Sequence, residues 1–201
     1  MSWLRLYLRS RHVPLAVAAA LGVTALMWSL WAAGSTERDV GFQMVVLTVL
    51  FLVAALTATL GGPDEALERT ASFAWAPRRS AHLLIAFAVV VLPLLATLAT
   101  GARFGPAGMV VRDAAGLLGL TALGAVTVGV SRSWFLPLGW TLIAVIFPVG
   151  ESVAGRILTW QAQDPADVAA MVTAGVLAAG GLVAYTVAGP AMRSPATAGQ
   201  G

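Results

Sequence analysis

Long, continuous apolar runs are the feature of this sequence that most restricts its fold. A helical run of about 20 apolar residues is enough to cross the roughly 30 Å hydrocarbon core of a bilayer. The chain has 201 residues, of which 59% are hydrophobic and 10% are charged, so runs of this kind take up most of its length. They predict six membrane spans, at about residues 13–33, 41–61, 82–100, 114–131, 135–155 and 168–189.

The spans are predicted to be α-helices, because an open strand would leave backbone groups unpaired in lipid and the runs lack the alternation of a membrane barrel. The predicted fold class is therefore all-α, a polytopic membrane protein. Residues 13–190 would form the transmembrane domain and residues 191–201 a flexible tail. No soluble domain of ordinary size fits in the remainder, so we expect any cytosolic enzyme to be a separate polypeptide.

The placement of arginine predicts the orientation. All twelve basic residues are arginines, and eight of them fall on the side of the bundle that holds the two termini. The positive-inside rule then places both termini in the cytoplasm, with the chain in a cell membrane that we expect to be a bacterial plasma membrane. The absence of cysteine excludes disulfides and thiolate metal sites. A few arginines beside few acids explain the basic balance, so no nucleic-acid partner is predicted.

Residues 1–12 have the pattern of an amphipathic helix lying on the cytoplasmic membrane surface. On a helical wheel the polar side chains gather on one side and the apolar ones cover the other. A simpler interpretation is a basic flank that orients the first span, and the sequence leaves both interpretations open. The polar side holds Ser2, Arg5, Arg9 and His12, and the apolar side holds Trp3, Leu4, Leu6, Tyr7 and Leu8.

Residues 62–82 form the one sizeable polar segment between apolar runs. Pro63 suits the first position of a helix, acidic residues follow near the positive end of the helix dipole, and Pro77 is expected to end it. Glu65 and Arg69 are spaced as a favourable i,i+4 pair. These features predict a short cytoplasmic helix at about 63–76, although a well-capped solvated loop would show the same charges.

The polar segment and the amphipathic start together resemble the type-2 ABC exporter permeases, the membrane subunits of ABC transporters with the type V exporter fold. Members of that family have six spans with both termini inside, a basic amphipathic helix before the first span, and a coupling helix between the second and third. The residues that match the coupling helix are Glu65, Glu68, Arg69, Thr70, Pro77, Arg78 and Arg79.

The resemblance implies a permease that pairs with a second permease, and whose coupling helix docks on a cytosolic ABC ATPase. ATP and Mg²⁺ would be bound in that partner, because this chain has no phosphate-binding Gly-rich motif and no lysine. No cofactor and no enzymatic activity are expected in the chain itself. The substrate would be hydrophobic or amphipathic, such as a drug, a lipid or a peptide. The outer helices that the family has before span six would fit at about 153–167.

Glu151 is the ionisable residue predicted inside the membrane, near the outer end of the fifth span. A charged side chain inside a membrane is energetically costly, so a residue of this kind is a candidate functional residue. The resemblance would place Glu151, with Arg112 at the same depth, beside an outer gate. An ion pair between Glu151 and either Arg112 or Arg156 is the structural alternative.

Small residues predict where helices approach closely, at the pairs Ala115/Gly119, Ala125/Gly129 and Gly175/Ala179. Tryptophans near the span ends are predicted to be interfacial anchors, at Trp28, Trp31, Trp134 and Trp160.

Three other function classes each require a different sequence feature. An intramembrane enzyme would need a cluster of catalytic groups, and the dispersed histidines and aspartates do not predict one. A secondary transporter would need a charged site at mid-membrane, which the runs lack. A non-transporting anchor or sensor that holds a cytosolic partner through the same coupling helix remains open.

Overall fold

The computed structural model describes residues 13–61, 75–147 and 152–191. Within these ranges the chain is helical, with one isolated bridge between Asp39 and Arg103. Short 3-10 turns follow or link the helices at Ala58–Leu60, Val130–Arg132 and Trp160–Ala162. The helices are α1 (Val13–Gly34), α2 (Phe42–Thr57), α3 (Trp75–Thr97), α4 (Ala107–Thr127), α5 (Phe135–Ile146), α6 (Val153–Leu158) and α7 (Val168–Ala188).

Five helical segments among the described residues are long and apolar enough to cross a membrane: α1, α2 with its 3-10 turn, α3, α4 and α7. The predicted fifth span, residues 135–155, is not among these five segments. Helix α5 has 12 residues, which at about 1.5 Å each gives a length of about 18 Å. The chain is described again from Ser152, and α6 is a separate helix of six residues. The described part of the predicted span 135–155 thus consists of two short helices.

Hydrogen bonds between two loops that are distant in sequence mark one end of the bundle. The Arg103 amide donates to the Arg38 carbonyl at 2.7 Å, and the Val40 amide donates to the Arg103 carbonyl at 2.8 Å. We call the end that holds residues 35–41, 98–106 and 152–167 the loop end. The opposite end holds Arg78, Arg79 and Arg132 and is called the arginine end; the sequence predicts that it faces the cytoplasm.

Helix α4 is the central element of the bundle. Of its apolar window 78% is buried, against 17% for α1 and 22% for α7. Helices α4 and α7 cross with their backbones in contact, because a Cβ on Gly119 would overlap the Leu177 carbonyl and a Cβ on Gly181 would overlap the Gly119 carbonyl. The prediction of close packing is confirmed at Gly119, whereas Gly175 faces open space.

The prediction that Pro77 ends a helix is wrong. Helix α3 begins at Trp75 and runs through Pro77 to Thr97. A proline is tolerated in the first turn because the amide that it lacks would have no intrahelical acceptor there. The remaining part of the predicted coupling helix, the amphipathic start and nearly all of the tail lie outside the described residues.

Candidate functional site

Arg112, predicted at the outer gate, lies in the second turn of α4 and is buried. Its Nε donates to Oδ1 of Asp113 at 3.0 Å. Its Nη1 donates to the carbonyl oxygens of Gln163 and Asp164 at 3.2 and 2.9 Å, and its Nη2 donates to that of Gln161 at 3.0 Å. The guanidinium group therefore fastens the backbone of residues 161–164 to α4 through charge-assisted bonds.

Side-chain amides extend this contact to α5. Gln161 Nε2 donates to Thr141 Oγ1 at 3.1 Å, and Thr141 belongs to α5. Gln163 Nε2 donates to Thr159 Oγ1 at 2.9 Å within the segment itself. The segment that links α6 to α7 is thus held on two sides, by α4 and by α5. We call Arg112, Asp113, Thr141, Gln161 and Gln163 the loop-end cluster.

The indole of Trp160 lies beside Arg112 of this cluster and is fully buried. Gly116 on α4 gives it room, because a Cβ there would be 2.5 Å from Trp160 Cη2. The Arg112 guanidinium carbon is 6.0 Å from the centroid of the ring, within the range of a cation–π contact. The prediction of Trp160 as an interfacial anchor is wrong, because the ring packs against the backbone of α4.

Within the described ranges, three buried polar atoms of the cluster and of Trp160 have no hydrogen-bond partner: Asp113 Oδ2, Trp160 Nε1 and Gln161 Oε1. A buried polar atom without a partner costs about 1–3 kcal/mol, more when it is charged. Folded proteins keep few such atoms. The loop-end cluster is therefore a place where the fold carries an energetic cost.

A second ion pair closes the loop end. Arg156 on α6 and Asp167 meet with 3.4 Å between Nη1 and Oδ2. Asp167 also caps α7, since its Oδ1 accepts from the Ala170 amide at 2.8 Å. That backbone hydrogen bond, followed by the charge of Arg156, holds the pKa of Asp167 below its usual value. The start of α7 is thereby linked to α6.

At the arginine end, Arg78 and Arg79 lie in the second turn of α3. The Arg78 guanidinium carbon is 5.5 Å from the centroid of the Trp75 ring. Arg79 is buried and packs against Gly189, where a Cβ would be 2.5 Å from Arg79 Cζ. Of these two predicted coupling residues, Arg79 belongs to the seam between α3 and the end of α7.

The 3-10 turn that ends α2 is held by side chains of two other helices. The Tyr185 hydroxyl of α7 donates to the Leu60 carbonyl, and His82 Nε2 of α3 lies 3.0 Å from Thr59 Oγ1. The Ala191 amide also donates to the Ala125 carbonyl at 2.9 Å, which fastens the chain after α7 to α4. We call Thr59, Leu60, His82 and Tyr185 the turn clamp.

The two predicted sites lie at opposite ends of the bundle. Arg112 is at the loop end, and Arg78 and Arg79 are at the arginine end. The predicted coupling residues Glu65, Glu68, Arg69 and Thr70 lie outside the described residues, as does Glu151. The ion pair of Glu151 with Arg112 or Arg156 therefore stays a prediction, beside the described pairs of Arg112 with Asp113 and of Arg156 with Asp167.

An apolar groove of about 190 Å³ opens on the side of the bundle between α3, α4 and α7. Leu83 and Phe87 line one wall, and Gly119 lies at its floor. The groove lies beside the α4–α7 crossing, because Gly119 and Ala178, which meet at that crossing, also line it. In a membrane this groove would face lipid tails.

Within the described ranges, histidine and acidic side chains form no group of three that could hold a metal ion. The polar contacts found there hold helix ends and loops, and the groove is apolar. Comparison with protein-family models, with curated proteins and with solved structures finds no match to this chain. The function of this chain is therefore inferred from its sequence pattern and from the contacts at the two ends of the bundle.

Proposed function

We propose that this chain is the transmembrane permease subunit of an ATP-driven ABC exporter. The observation that carries the proposal is the order of elements before the last long helix. Two short helical segments, Val153–Leu158 and Trp160–Ala162, occupy the interval 153–167 in which the resemblance requires outer helices. They are packed on the bundle by Arg112 and by the Arg156–Asp167 pair. The long apolar helices around them suit a permease.

In this proposal the bundle has six spans, with residues 135–155 as the fifth. Residues 1–12 lie along the cytoplasmic membrane surface in contact with lipid headgroups, residues 63–76 form the coupling helix, and both termini are cytoplasmic. The location is a bacterial plasma membrane. The concentration of arginine at one end of the bundle supports this orientation.

The proposed mechanism divides the work between two proteins. A cytosolic ABC ATPase binds ATP and Mg²⁺ and receives the coupling helix through Glu65, Glu68, Arg69 and Thr70, with Arg78 and Arg79 beside them. A second permease completes the pathway for a hydrophobic or amphipathic substrate. At the loop end, Glu151 and Arg112 stand beside the outer gate. The hydrogen bonds of Arg112 support a role in positioning the short outer segments.

Replacing Glu68 and Arg69 together by glutamine tests the proposal. The full chain, tagged and expressed in its native host, is purified in mild detergent, and both the bound ATPase and its ATP hydrolysis are measured. We expect the double variant to retain little ATPase while inserting normally. One surface ion pair contributes only about 0–1 kcal/mol. Loss of a single contact with the ATPase could therefore go undetected, so both residues are changed at once.

Glu37 and Arg38 provide the matched control, because they are an adjacent acid–arginine pair with exposed side chains at the loop end. Their double glutamine variant should copurify the ATPase as the wild type does. Equal ATPase binding by the Glu68/Arg69 variant would contradict the proposed coupling helix. A complex that hydrolyses ATP but moves no substrate in proteoliposomes would instead favour the anchor or sensor subunit.

A further inference from the structure

The end of α7 contacts the chain on both sides of residues 62–74. On the upstream side it meets the 3-10 turn Ala58–Leu60, and on the downstream side it meets the first turns of α3. These contacts join parts of the chain that are 125 residues apart in the case of Tyr185 and Leu60. The two described flanks of residues 62–74, which are the turn Ala58–Leu60 and the start of α3, therefore both contact the end of α7.

The upstream contact is a hydrogen bond in a buried setting. The last carbonyls of a helix lack intrahelical donors, and the turn Ala58–Leu60 leaves such a carbonyl at Leu60. The Tyr185 hydroxyl donates to it, and both residues are almost completely buried. A hydrogen bond in low dielectric is stronger than one in water. Leu60 is thus held at a fixed distance from α7.

The downstream contact involves a charge and a glycine. Gly189 follows α7 with φ of +69°, which favours a residue without a Cβ. The Arg79 guanidinium group packs directly on it. A positive charge at this position also interacts favourably with the negative end of the α7 dipole. The start of α3 is therefore fixed to the same end of α7 that holds Leu60.

The two flanks are also tied to each other. The Thr59 hydroxyl donates its proton to the Leu56 carbonyl at 2.7 Å. Its contact with His82 Nε2 at 3.0 Å therefore requires that the histidine donates. This bond joins the turn after α2 to the third turn of α3, and Tyr185 adds α7 to the same group.

The contacts continue along α7 to the loop end. Two-thirds of the way along α7, Gly181 lies against the Gly119 carbonyl of α4, so the two helices are locked by backbone contact. At its start, Asp167 pairs with Arg156 of α6. A displacement of the Tyr185 end is thus passed to α6 by a rigid helix of 21 residues.

We propose that Tyr185 is a positioning residue that makes α7 follow the coupling segment, so that α7 acts as the lever between the ATPase and the short outer helix α6. This proposal rests on the proposed function. It adds a specific element and a specific hydrogen bond: a movement of the turn Ala58–Leu60, the described flank of the coupling segment, reaches the loop end through Tyr185, α7 and the Arg156–Asp167 pair.

The experiment uses the full chain with its copurified ATPase in nanodiscs. The chain has no cysteine, so Val153→Cys, an exposed position on α6, can carry one environment-sensitive fluorophore. We expect ATP with vanadate to change its emission in the otherwise wild-type complex. With Tyr185→Phe added, the equilibrium constant between the two emission states should shift at least about fivefold toward the ATP-free state, as loss of one buried hydrogen bond does. ATPase stoichiometry and half-saturating ATP concentration should not change.

Thr186→Val is the matched control, because the neighbouring hydroxyl donates to the Val183 carbonyl of its own helix and its loss should leave the signal intact. A full signal in Tyr185→Phe with ATPase bound overturns the lever and leaves the proposed function standing. A wild-type complex whose emission does not change with ATP and vanadate also overturns the lever and leaves the proposed function standing. If no ATPase binds the wild type, the proposed function fails and the lever with it. Should Tyr185→Phe not fold, Asp167→Asn replaces it, because this change breaks the pair with Arg156 and keeps the cap of α7. A reduced signal is then expected, and a full signal contradicts the lever.

Discussion

Among single residues, Arg112 does the most to hold the loop end together in the described part of the chain. Its charge is balanced by Asp113, and its remaining donors reach three backbone carbonyls of residues 161–164. A cation in this position could move only if four hydrogen bonds broke together. The residue is therefore suited to setting where α6 and the turn after it lie.

Arg112→Gln should strongly destabilise the protein, because it leaves the Asp113 carboxylate buried without its partner. Breaking a buried ion pair in this way costs about 3–5 kcal/mol. Adding Asp113→Asn should recover part of the loss, since the pair no longer contains a lone charge. Thermal unfolding in detergent measures both variants. Arg103→Gln, whose side chain is exposed at the same end, is the control. Stability unaffected by Arg112→Gln would contradict the described cluster.

Glu151→Gln separates the two predicted roles of that residue. If Glu151 acts at the outer gate, the variant should keep its melting temperature and alter the rate of ATP hydrolysis in the complex. If Glu151 is an ion-pair partner, the melting temperature should fall. Arg156→Gln is the milder rescue in that case, because it gives up one ion pair, with Asp167, whereas neutralising Arg112 would break its three bonds to 161–164. Full rescue with normal hydrolysis would remove Glu151 from the functional residues.

Two adjacent glycines of α7 give a sharp test of the helix crossing. Gly181→Ala should destabilise the protein by about 1–3 kcal/mol, since the new methyl group overlaps the Gly119 carbonyl. Gly180→Ala should be neutral or slightly stabilising, because a Cβ there meets no atom within 4 Å and alanine favours helix. Thermal unfolding of the two variants decides this. Equal effects would show that α4 and α7 are further apart than described.

At the scale of the helices, the first turn of α7 depends on Asp167 in two ways. Asp167→Ala should lower the melting temperature by loss of the cap and of the ion pair, whereas asparagine keeps the cap and loses only the pair with Arg156. Because the folded pKa of Asp167 is lowered, its charge stabilises the protein above the unfolded pKa of about 3.9. This stabilisation is lost as the pH falls through the folded value. Melting temperatures of wild type and Asp167→Asn should therefore converge in acid, and a constant difference would contradict the ion pair.

Helix boundaries show where sequence reasoning met its limit. Hydropathy located the long apolar helices, because burial in lipid requires that composition. It could not place the start of α3, since the polar residues Arg78, Arg79 and His82 belong to the same helix as the apolar run. Hydropathy did not show the end of α5 at Ile146 either, although Pro148 and Gly150, which follow it, are residues that allow a helix to break.

Tertiary contacts account for the other differences. Arg112 and Asp113 are neighbours in sequence, a spacing at which helical side chains do not normally face each other, so the pattern gave no sign of the pair. Trp160 was assigned to the membrane interface by its position near a span end, yet Gly116 opens a pocket for it on α4. Tyr185 was the residue whose type indicated a tertiary contact, because it lies in an apolar run and a buried hydroxyl needs a hydrogen-bond partner.

For the molecule as a whole, the all-helical bundle could be predicted from composition alone, and the sites could not. The twelve arginines and the apolar windows decide the class of protein. The loop-end cluster and the turn clamp depend on residues that come together only after the helices pack. Gln161 and Thr141 lie 20 residues apart, and Tyr185 and Leu60 lie 125 apart, so no local spacing could reveal them.

The composition of the native complex tests the central claim most directly. Native mass spectrometry of the tagged chain in nanodiscs should find two permease chains with two ABC ATPase subunits, each permease chain contributing 20.7 kDa. A complex with a different second permease would fit the same account as a heterodimer. A homogeneous preparation of this chain without any ATP-hydrolysing subunit, from cells that express it natively, would contradict the account.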